Sequence, residues 1–418
     1  MIYAVDAIMG AGKSSFGIQK LINNIKKDKK TIYITPYKNE IKRIMEECNK
    51  AGVKVYQPLA FNDKGKRDNF ASLVASGKSI VATHACFDGI SKDLFMFFKQ
   101  HKYTLIMDEV HNVVQPICLT EEDREMLLEK KYISINQETD EVIWNKNNMS
   151  YEGRFSDIKN LCELGNIYYL SEKLCYWVFP CEIFKSMKDV YILTYLFEGQ
   201  IQAAYYKSCG VKYKLVSLMN TNNKRGMEGK YKLVEYKSEL QHDTIKEYAN
   251  LISIYHGKLN DEFSMFSFSS TYFEKIKYNK EILKQIKNNI YNYFRNIVKT
   301  KAQDNMWTTL KSLEDSLKGG AYSKGFVEMT ARATNEYSDK ISMAYIYNRF
   351  INPTLITFFN KRGVEVNQDL YAISELLQWM FRSRIRKQMP INIYIPSLRM
   401  RGLLEKWCNC EIKMEECK

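Results

Sequence analysis

The chain carries the sequence Ala-Ile-Met-Gly-Ala-Gly-Lys-Ser at residues 7–14, directly after an apolar run at residues 2–5. A buried strand, a glycine-rich turn and a helix in this order are the context that a phosphate-binding P-loop requires. Glycines let phosphate oxygens approach the backbone closely, and the helix N-terminus then holds the anion. The stretch predicts a nucleotide site formed by Gly10, Ala11, Gly12, Lys13, Ser14 and Ser15.

A second chemical signal is Leu-Ile-Met-Asp-Glu-Val-His at residues 105–111, an apolar strand that ends in two adjacent carboxylates. In a P-loop enzyme, Lys13 reaches the β- and γ-phosphates, and Ser14 with Asp108 holds Mg²⁺. Glu109 is then placed to polarise the attacking water. The alternative, two acids that merely face solvent at a strand end, fits poorly with a P-loop upstream.

Short apolar runs alternate with amphipathic, lysine-rich stretches through the first half of the chain. We predict strands at 2–5, 30–35, 53–56, 79–83, 103–107 and 190–196, with helices at 14–24, 39–51 and 91–100. Strands separated by helices of this length imply right-handed crossovers and a parallel sheet. In the second half we predict strands at 263–268, 326–330, 354–359 and 391–395, and a long helical stretch at 270–317.

The formal net charge is +14, with 62 Lys and Arg against 48 Asp and Glu. This balance favours a polyanionic partner, of which nucleic acid is the commonest, although a general bias toward lysine has the same effect. No apolar run reaches the roughly 18 residues of a membrane span, and no basic segment precedes the first strand. We therefore expect a cytoplasmic protein without a membrane partner.

Cysteines and basic aromatic stretches carry weaker signals. Cys408, Cys410 and Cys417 cluster near the C-terminus, but no histidine lies nearby and the spacing favours free thiols over zinc. The stretch 275–294 is rich in lysine and contains Tyr291, Tyr293 and Phe294. It is either a basic, aromatic nucleic-acid surface or an ordinary helix with aromatics in the core, and we favour the second.

Together, the P-loop and the Asp-Glu-Val-His sequence resemble the ATPase motifs of superfamily 2 helicases of the DExH-box type, in which alanine is usual at the first P-loop position. Thr35 and Pro36 follow the second strand and are similar to motif Ia. Thr83 and His84 are similar to the next such motif. The resemblance implies that these four residues contact a nucleic-acid backbone.

The sequence Leu-Thr-Tyr-Leu at 193–196 resembles motif III, usually Ser-Ala-Thr or Thr-Ala-Thr, and Thr194 is the residue that matches. His111 completes the DExH box. The resemblance implies that His111 and Thr194 couple hydrolysis to movement of the lobes, with His111 in contact with motif III or the other lobe.

In the second half, Phe-Ser-Phe-Ser-Ser at 266–270 resembles motif IV, and Thr-Ala-Arg-Ala-Thr-Asn at 330–335 resembles motif V. The resemblance implies nucleic-acid contacts from Ser269 and Thr334. Segments 345–353 and 391–401 look like parts of phage-encoded DExH helicases and of the origin-binding-protein helicases of large DNA viruses.

Residues 378–386, Gln-Trp-Met-Phe-Arg-Ser-Arg-Ile-Arg, resemble motif VI, in which arginines stabilise charge on the transferring phosphoryl group. Phe381 stands where the motif has glycine. We assign Gln378, Arg382 and Arg386 to the catalytic set, with Arg384 as the alternative to Arg386. A basic amphipathic surface helix is the competing interpretation.

The resemblance implies an α/β fold of two RecA-like parallel-sheet lobes, the P-loop NTPase helicase core, with helical insertions. We expect an ATP-binding lobe at 1–205 with an insertion at about 120–188, and a second lobe at 206–418 with a helical insertion at about 270–318. The expected cofactors are ATP and Mg²⁺.

The implied function is an ATP-dependent helicase or translocase, with DNA favoured over RNA, that acts in phage replication or recombination beside replication proteins. Two alternatives remain. One is an ATP-driven DNA remodeller that never separates strands, and the other is a binding or loading protein in which hydrolysis only times release.

Overall fold

The structure is a computed structural model that describes residues 1–60, 65–88, 90, 93–117, 119–171, 174–221, 230–260, 264–329 and 335–414. Its helices are α1 (Lys13–Lys26), α2 (Lys38–Lys50), α3 (Lys66–Ala75), α4 (His84–Phe87), α5 (Leu94–Gln100), α6 (Glu121–Glu129), α7 (Ser156–Glu163), α8 (Cys181–Ser186), α9 (Ile201–Ser208), α10 (His242–Ala249), α11 (Ser270–Ile276), α12 (Lys280–Asn292), α13 (Glu314–Leu317), α14 (Pro353–Asn360), α15 (Gln368–Met380) and α16 (Leu398–Cys408).

The strands are β1 (Ile2–Asp6), β2 (Thr31–Thr35), β3 (Ile80–Thr83), β4 (Thr104–Asp108), β5 (Val114–Ile117), β6 (Ile133–Ile135), β7 (Val142–Trp144), β8 (Ile167–Ser171), β9 (Leu174–Val178), β10 (Asp189–Thr194), β11 (Lys214–Asn220), β12 (Tyr231–Glu235), β13 (Ile252–Ile254), β14 (Asn305–Thr308), β15 (Ser342–Tyr345) and β16 (Ile391–Tyr394).

Seven strands form the first sheet in the order β12-β11-β1-β10-β4-β2-β3, and all are parallel except the edge strand β12. Every residue of β2 and β4 is buried because helices cover both faces of the sheet. Side chains alternate between the two faces, so Ile32 and Ile34 join one core and Tyr33 joins the other. This sheet continues past residue 205 through β11 and β12.

Between β4 and β10 the chain forms a separate small unit. An antiparallel sheet of order β5-β9-β8, the hairpin β6-β7 and the helices α6 and α7 enclose their own core. Its largest buried side chains include Trp144 and Phe155. The insertion predicted at about 120–188 therefore has its own core and contains strands that were not predicted.

The second lobe has a parallel sheet of order β13-β16-β15-β14. Side chains of α10, α12, α15 and α16 share one large core with it. The lobes are joined tightly, since α14 lies on the first lobe with Phe358 2% and Phe359 0% exposed in the first-lobe core. In the other direction, Ile8 of the P-loop lies in the second-lobe core.

The predicted α/β class with two parallel-sheet lobes and helical insertions is confirmed. Among the described residues, no helix has both the length and the apolar character needed to cross a membrane. The aromatics Tyr293 and Phe294 are buried at 1% and 0% exposure, which confirms the favoured interpretation of this stretch for these two side chains.

Several strand predictions in the second half are wrong. Residues 354–359 form α14, because Asn352 caps the helix by accepting from the Thr354 amide at 2.9 Å and Pro353 occupies the first turn. Residues 264–268 form a turn in which Phe268 has φ +67°, which excludes an extended strand; residue 263 lies outside the described residues. Around 326–329 there is one isolated bridge, between Phe326 and Trp307.

Three strands of the second sheet were missed. The stretch predicted as helical contains β14, whose four residues are all buried, and β13 and β15 were not predicted. In the first lobe, the predicted strand at 53–56 is not formed. Only one isolated bridge, between Tyr56 and Ile80, is found there.

Candidate nucleotide and nucleic-acid site

The P-loop connects the end of β1 to the start of α1. Gly10 and Gly12 have φ of +81° and +89°, values that L-residues with a side chain rarely adopt. Gly12 is the N-cap residue of α1, and Lys13, Ser14 and Ser15 form its first turn, which contains no acidic residue. The loop therefore presents backbone amides and the positive end of a 14-residue helix to an anion.

The Lys13 ammonium points back into the loop, donating to the carbonyls of Ala7 at 2.5 Å and Ile8 at 3.2 Å. Burial lowers the pKa of Lys13, and the nearby Glu109 carboxylate opposes this most strongly. The charge of Arg386, from the second lobe, also lowers the pKa of Lys13. A phosphate at this loop would replace the two carbonyls as the partner of the ammonium.

Asp108 lies at the end of β4 beside the P-loop. Ser14 Oγ donates to its Oδ1 at 3.2 Å, and the Tyr33 hydroxyl donates to its Oδ2 at 3.3 Å. Burial first, and the adjacent Glu109 carboxylate second, raise the pKa of Asp108 to about 6. The hydroxyl and the carboxylate are hard oxygen ligands of the type that Mg²⁺ prefers, so their pairing fits the predicted metal site.

Glu109 follows directly, and its backbone is held in an unusual conformation. Its φ is +71°, and its amide donates to the Leu193 carbonyl of β10 at 3.0 Å. A non-glycine residue at positive φ costs energy and recurs at functional positions. The turn directs Glu109 out of the strand while Asp108 stays buried.

His111 lies inside the first lobe with 2% exposure. Its Nδ1 is 3.3 Å from His84 Nδ1, its Nε2 is 2.9 Å from Asp88 Oδ1, and its amide donates to Gln202 at 2.8 Å. His84 Nε2 in turn lies 3.2 Å from the Asp108 carbonyl. These contacts connect the DExH box to the start of α4 rather than to Thr194 or the other lobe.

The other predicted residues of the first lobe lie on the same sheet edge as the P-loop, at the carboxyl ends of the strands. Thr35 and Thr83 are register partners, but Thr35 is fully buried and the Thr83 hydroxyl accepts from the Cys86 amide at 3.3 Å. Pro36 is half-buried. Thr194 is fully buried, and its carbonyl accepts from the Ala7 amide at 3.0 Å.

In the second lobe, α15 is followed by residues 382–386, here called the arginine segment. Gln378 is half-buried in the last turn of α15. The Arg382 guanidinium is buried and donates to the carbonyls of Glu328 at 3.0 Å and Met329 at 3.3 Å. Arg384 Nε donates to the Pro390 carbonyl at 2.5 Å. Arg386 is exposed and is the arginine whose charge acts on Lys13.

The two remaining predicted residues have different outcomes. Ser269 is half-buried and caps α11, its hydroxyl accepting from the Tyr272 amide at 3.2 Å. Thr334 lies outside the described residues. The structure therefore brings the P-loop, Asp108 and Glu109 together, and Arg386 lies near enough for its charge to lower the pKa of Lys13. Thr83 and Ser269 cap helices, and Thr35 is buried in the sheet.

Sequence reasoning missed several residues that hold this site. Tyr33 and Gln202 are far from Asp108 and His111 in the chain, and no motif marks them. Asp6 precedes the P-loop directly, and its carboxylate accepts from the Phe197 amide at 2.8 Å. Burial raises the pKa of Asp6 to about 6. Its place at the end of β1 was the one available signal.

Comparison with known proteins gives a relative along nearly the whole chain. The SPbeta prophage-derived uncharacterized protein YonV of Bacillus subtilis strain 168 is 37% identical over 419 residues, covering 97% of this chain and 98% of the relative. The chain belongs to the YonV family. Residues 114–177 match the YonV middle domain, and residues 246–408 match the YonV C-terminal Rossmann-like domain.

Residues 3–137 of this YonV-family chain match the DEAD/DEAH box helicase family, so the P-loop and the DExH box lie in a helicase-family domain. Two solved structures align along nearly all of it. XPD_APO shares 12% identity, covering 97% of this chain and 95% of that chain at a TM-score of 0.47. S. tokodaii Xpd4 shares 12% identity, covering 99% and 94% at a TM-score of 0.47.

Proposed function

We propose that the protein is an ATP-hydrolysing helicase or translocase that moves along nucleic acid, with DNA as the favoured substrate. The observation that carries the proposal is the pairing of Ser14 with Asp108 at 3.2 Å beneath a P-loop that ends in Lys13. The helicase-family match over residues 3–137 supports the reaction class. The prophage origin of the YonV relative supports DNA and a phage role.

In this proposal the phosphates of ATP bind the loop amides at Gly10–Ser15, and Lys13 turns from the carbonyls of Ala7 and Ile8 to the β- and γ-phosphates. Ser14 and Asp108 would hold Mg²⁺, which supplies charge neutralisation at the phosphates. Glu109 orients the attacking water and accepts its proton. Arg386 stabilises the negative charge that develops on the transferring group.

The predicted domain division enters the proposal in adjusted form. We place the end of the ATP-binding lobe after β12, because β11 and β12 are hydrogen-bonded into its sheet. The unit between β4 and β10 is proposed as an accessory element of this lobe. We propose that Pro36 contacts nucleic acid directly, and that four residues act on it through the elements they hold: Thr35, Thr83, His84 and Ser269. Thr334 stays a predicted contact outside the described residues.

A second candidate is a nucleotide-timed DNA-binding or loading protein that does not separate strands. Burial of Phe358 and Phe359 in the first-lobe core favours it, because these side chains tie the lobes together. Stepping requires the lobes to move relative to one another, and such a tie restricts the movement.

The test is steady-state ATP hydrolysis with and without single-stranded DNA or RNA. We expect stimulation by DNA, and Glu109→Gln should lower kcat at least 100-fold, in the range that general-base removal produces. Glu281→Gln, the same change at an exposed site on α12, is the matched control and should leave kcat unchanged.

The absence of hydrolysis, or equal rates in wild type and Glu109→Gln, would exclude the proposed chemistry. Hydrolysis that is indifferent to every nucleic acid would exclude the helicase and translocase assignment. A strand-displacement assay then separates the two candidates, because only the first releases a displaced strand.

A further inference from the structure

Four buried aromatic side chains connect the P-loop to the arginine segment and to the end of β10. They are Tyr195, Tyr248, Phe381 and Trp407, here called the aromatic bridge, with exposures of 5%, 2%, 3% and 1%. We propose that the aromatic bridge positions the arginine segment in response to nucleotide at Gly10. The inference rests on the proposed ATP hydrolysis and adds the residues that transmit nucleotide binding between the lobes.

The bridge begins at the P-loop. A Cβ atom built on Gly10 would lie 3.1 Å from the hydroxyl of Tyr248, so the α10 side chain rests against this glycine. Ile8 lies in the same core as Tyr248, and Met9 and Ala11 pack against it. A phosphate that draws the Lys13 ammonium away from the carbonyls of Ala7 and Ile8 removes two contacts that hold this turn, and we expect the turn to rearrange. The rearrangement changes the contact with Tyr248.

From Tyr248 the bridge continues to the arginine segment. The rings of Tyr248 and Phe381 meet edge to face, with centroids 4.8 Å apart and an interplanar angle of 76°. Phe381 is the C-cap residue of α15, and its amide donates to the Leu377 carbonyl at 2.9 Å. Arg382 follows it directly. A densely packed interior transmits displacement, so a shift of the Phe381 ring moves the end of α15.

The far side of the bridge returns to the first lobe. The ring centroids of Trp407, on α16, and Phe381 lie 6.3 Å apart. The indole N–H of Trp407 donates to the Tyr195 hydroxyl at 2.9 Å. Tyr195 directly follows Thr194, whose carbonyl accepts from the Ala7 amide. The path thus leaves the P-loop at Gly10 and rejoins it at Ala7.

The same path accounts for departures from the helicase motifs. Phe381 stands where motif VI has glycine, and Tyr195 lies in the segment that departs from Ser-Ala-Thr. A glycine at 381 would leave Tyr248 and Trp407 without the ring between them. The two departures are therefore parts of one packed contact between motifs.

The test uses the full chain and the intrinsic fluorescence of Trp407, assigned by comparison with Trp407→Phe. Titration with the non-hydrolysable ATP analogue AMPPNP and Mg²⁺ should change the Trp407 emission in the wild type. In Tyr248→Leu the analogue should still bind, within about three-fold of the wild-type affinity by equilibrium dialysis, while the Trp407 signal is lost. Phe381→Leu should behave in the same way.

Hydrolysis provides the second readout. Tyr248→Leu and Phe381→Leu should each lower kcat about ten-fold with KM within about three-fold, and the double variant should fall no further, because both break one path. Tyr248→Phe, which keeps the ring contact with Phe381, should retain most of the Trp407 signal. Tyr293→Phe is the matched control, since Tyr293 lies in the same core with 1% exposure but contacts other aromatics.

Two outcomes would overturn the aromatic bridge while leaving ATP hydrolysis intact. One is an unchanged Trp407 emission at an AMPPNP concentration that dialysis shows to be saturating. The other is wild-type kcat in Tyr248→Leu and Phe381→Leu variants with wild-type circular dichroism. If the wild type binds no nucleotide, the proposed function fails first and the bridge fails with it.

Discussion

The Nδ1 atoms of His84 and His111 lie 3.3 Å apart in the buried interior of the first lobe. A carbonyl oxygen can only accept, so His84 Nε2 must donate to the Asp108 carbonyl. On its other side, His111 Nε2 lies 2.9 Å from the Asp88 carboxylate, which also can only accept. The two rings therefore link the backbone of Asp108 to the Asp88 side chain at the end of α4.

We predict that this contact supports hydrolysis as a unit. His84→Phe and His111→Phe each keep an aromatic ring but remove the contact, and each should lower the kcat of ATP hydrolysis about ten-fold, the effect of a lost buried hydrogen bond. The double variant should be no slower than the worse single variant. Additive losses in this double-mutant cycle would show that the two rings act separately.

His101→Phe is the control for the histidine pair. His101 lies before the start of β4, at the end opposite Asp108, and its Nε2 is 3.0 Å from the Ala75 carbonyl. Its substitution should affect the free energy of unfolding but leave kcat unchanged. A fall in kcat equal to that of His111→Phe would remove the site-specific explanation.

The choice between the two candidate arginines gives a second prediction. Arg386 is exposed and its charge lowers the pKa of Lys13, and Arg384 Nε donates to the Pro390 carbonyl. Arg386→Ala should lower kcat about 1,000-fold with little change in KM, as expected for a group that stabilises the transition state. Arg384→Ala, the matched control, should retain kcat within about three-fold. The reverse order in a steady-state assay would assign the role to Arg384.

The candidate nucleotide site could be predicted because its signals are local. Glycines at positive φ, a lysine and a serine at the start of a helix, and two acids at a strand end are contiguous in the chain. The same holds for β1, β2, β3, β4 and β10 of the first-lobe sheet, which are mainly apolar, whereas β11 and β12 were not predicted. The spacing of residues within each motif was therefore enough to predict the P-loop, the DExH box and the strands and helix next to them.

The features that could not be predicted depend on contacts between residues far apart in the chain. Tyr33 holds Asp108 across 75 residues of chain, and Tyr248 reaches Gly10 from α10. The strand β14 is polar at both ends and lies between helices, so its burial depends on pairing with β15 and on packing in the second-lobe core. By contrast, Asn352 and Pro353 are local signals for the start of a helix, but the apolar run after them was wrongly predicted to be a strand.

The buried Asp6 predicts a pH-dependent stability. Its pKa is raised to about 6, against about 3.9 in an unfolded chain. Below pH 4 the group is protonated in both states and has no effect. From pH 4 to 6 the folded state holds the proton more tightly, so its contribution to stability falls as the pH rises, and the full penalty is present above pH 6.

Asp6→Asn removes the charge and keeps an oxygen that can accept from the Phe197 amide. The variant should be more stable than the wild type at pH 7.5 by roughly 1–3 kcal/mol, and the difference should shrink toward pH 4. Urea unfolding at both pH values measures it. A difference that stays constant with pH would show that Asp6 does not titrate between the folded and unfolded states.

Two glycines test how closely the lobes are packed. A Cβ atom on Gly199 of the first lobe would lie 2.6 Å from the backbone carbon of Leu370 and 2.8 Å from the amide nitrogen of Tyr371, at the start of α15. Backbone atoms cannot rotate away as side chains do, so Gly199→Ala should lower the free energy of unfolding by roughly 1–3 kcal/mol.

Gly402 is the matched control, since it lies within α16 with open space where its Cβ would be. Gly402→Ala should raise the free energy of unfolding by roughly 0.5–1 kcal/mol, because alanine restricts the unfolded chain and favours the helix. If the contact between Gly199 and α15 is present in solution, denaturant unfolding should show a lower free energy of unfolding for Gly199→Ala and a higher one for Gly402→Ala. If Gly199→Ala is neutral, α15 can shift away from Gly199 without cost, and the other contacts between the lobes, such as those of Phe358, Phe359 and Ile8, hold them together.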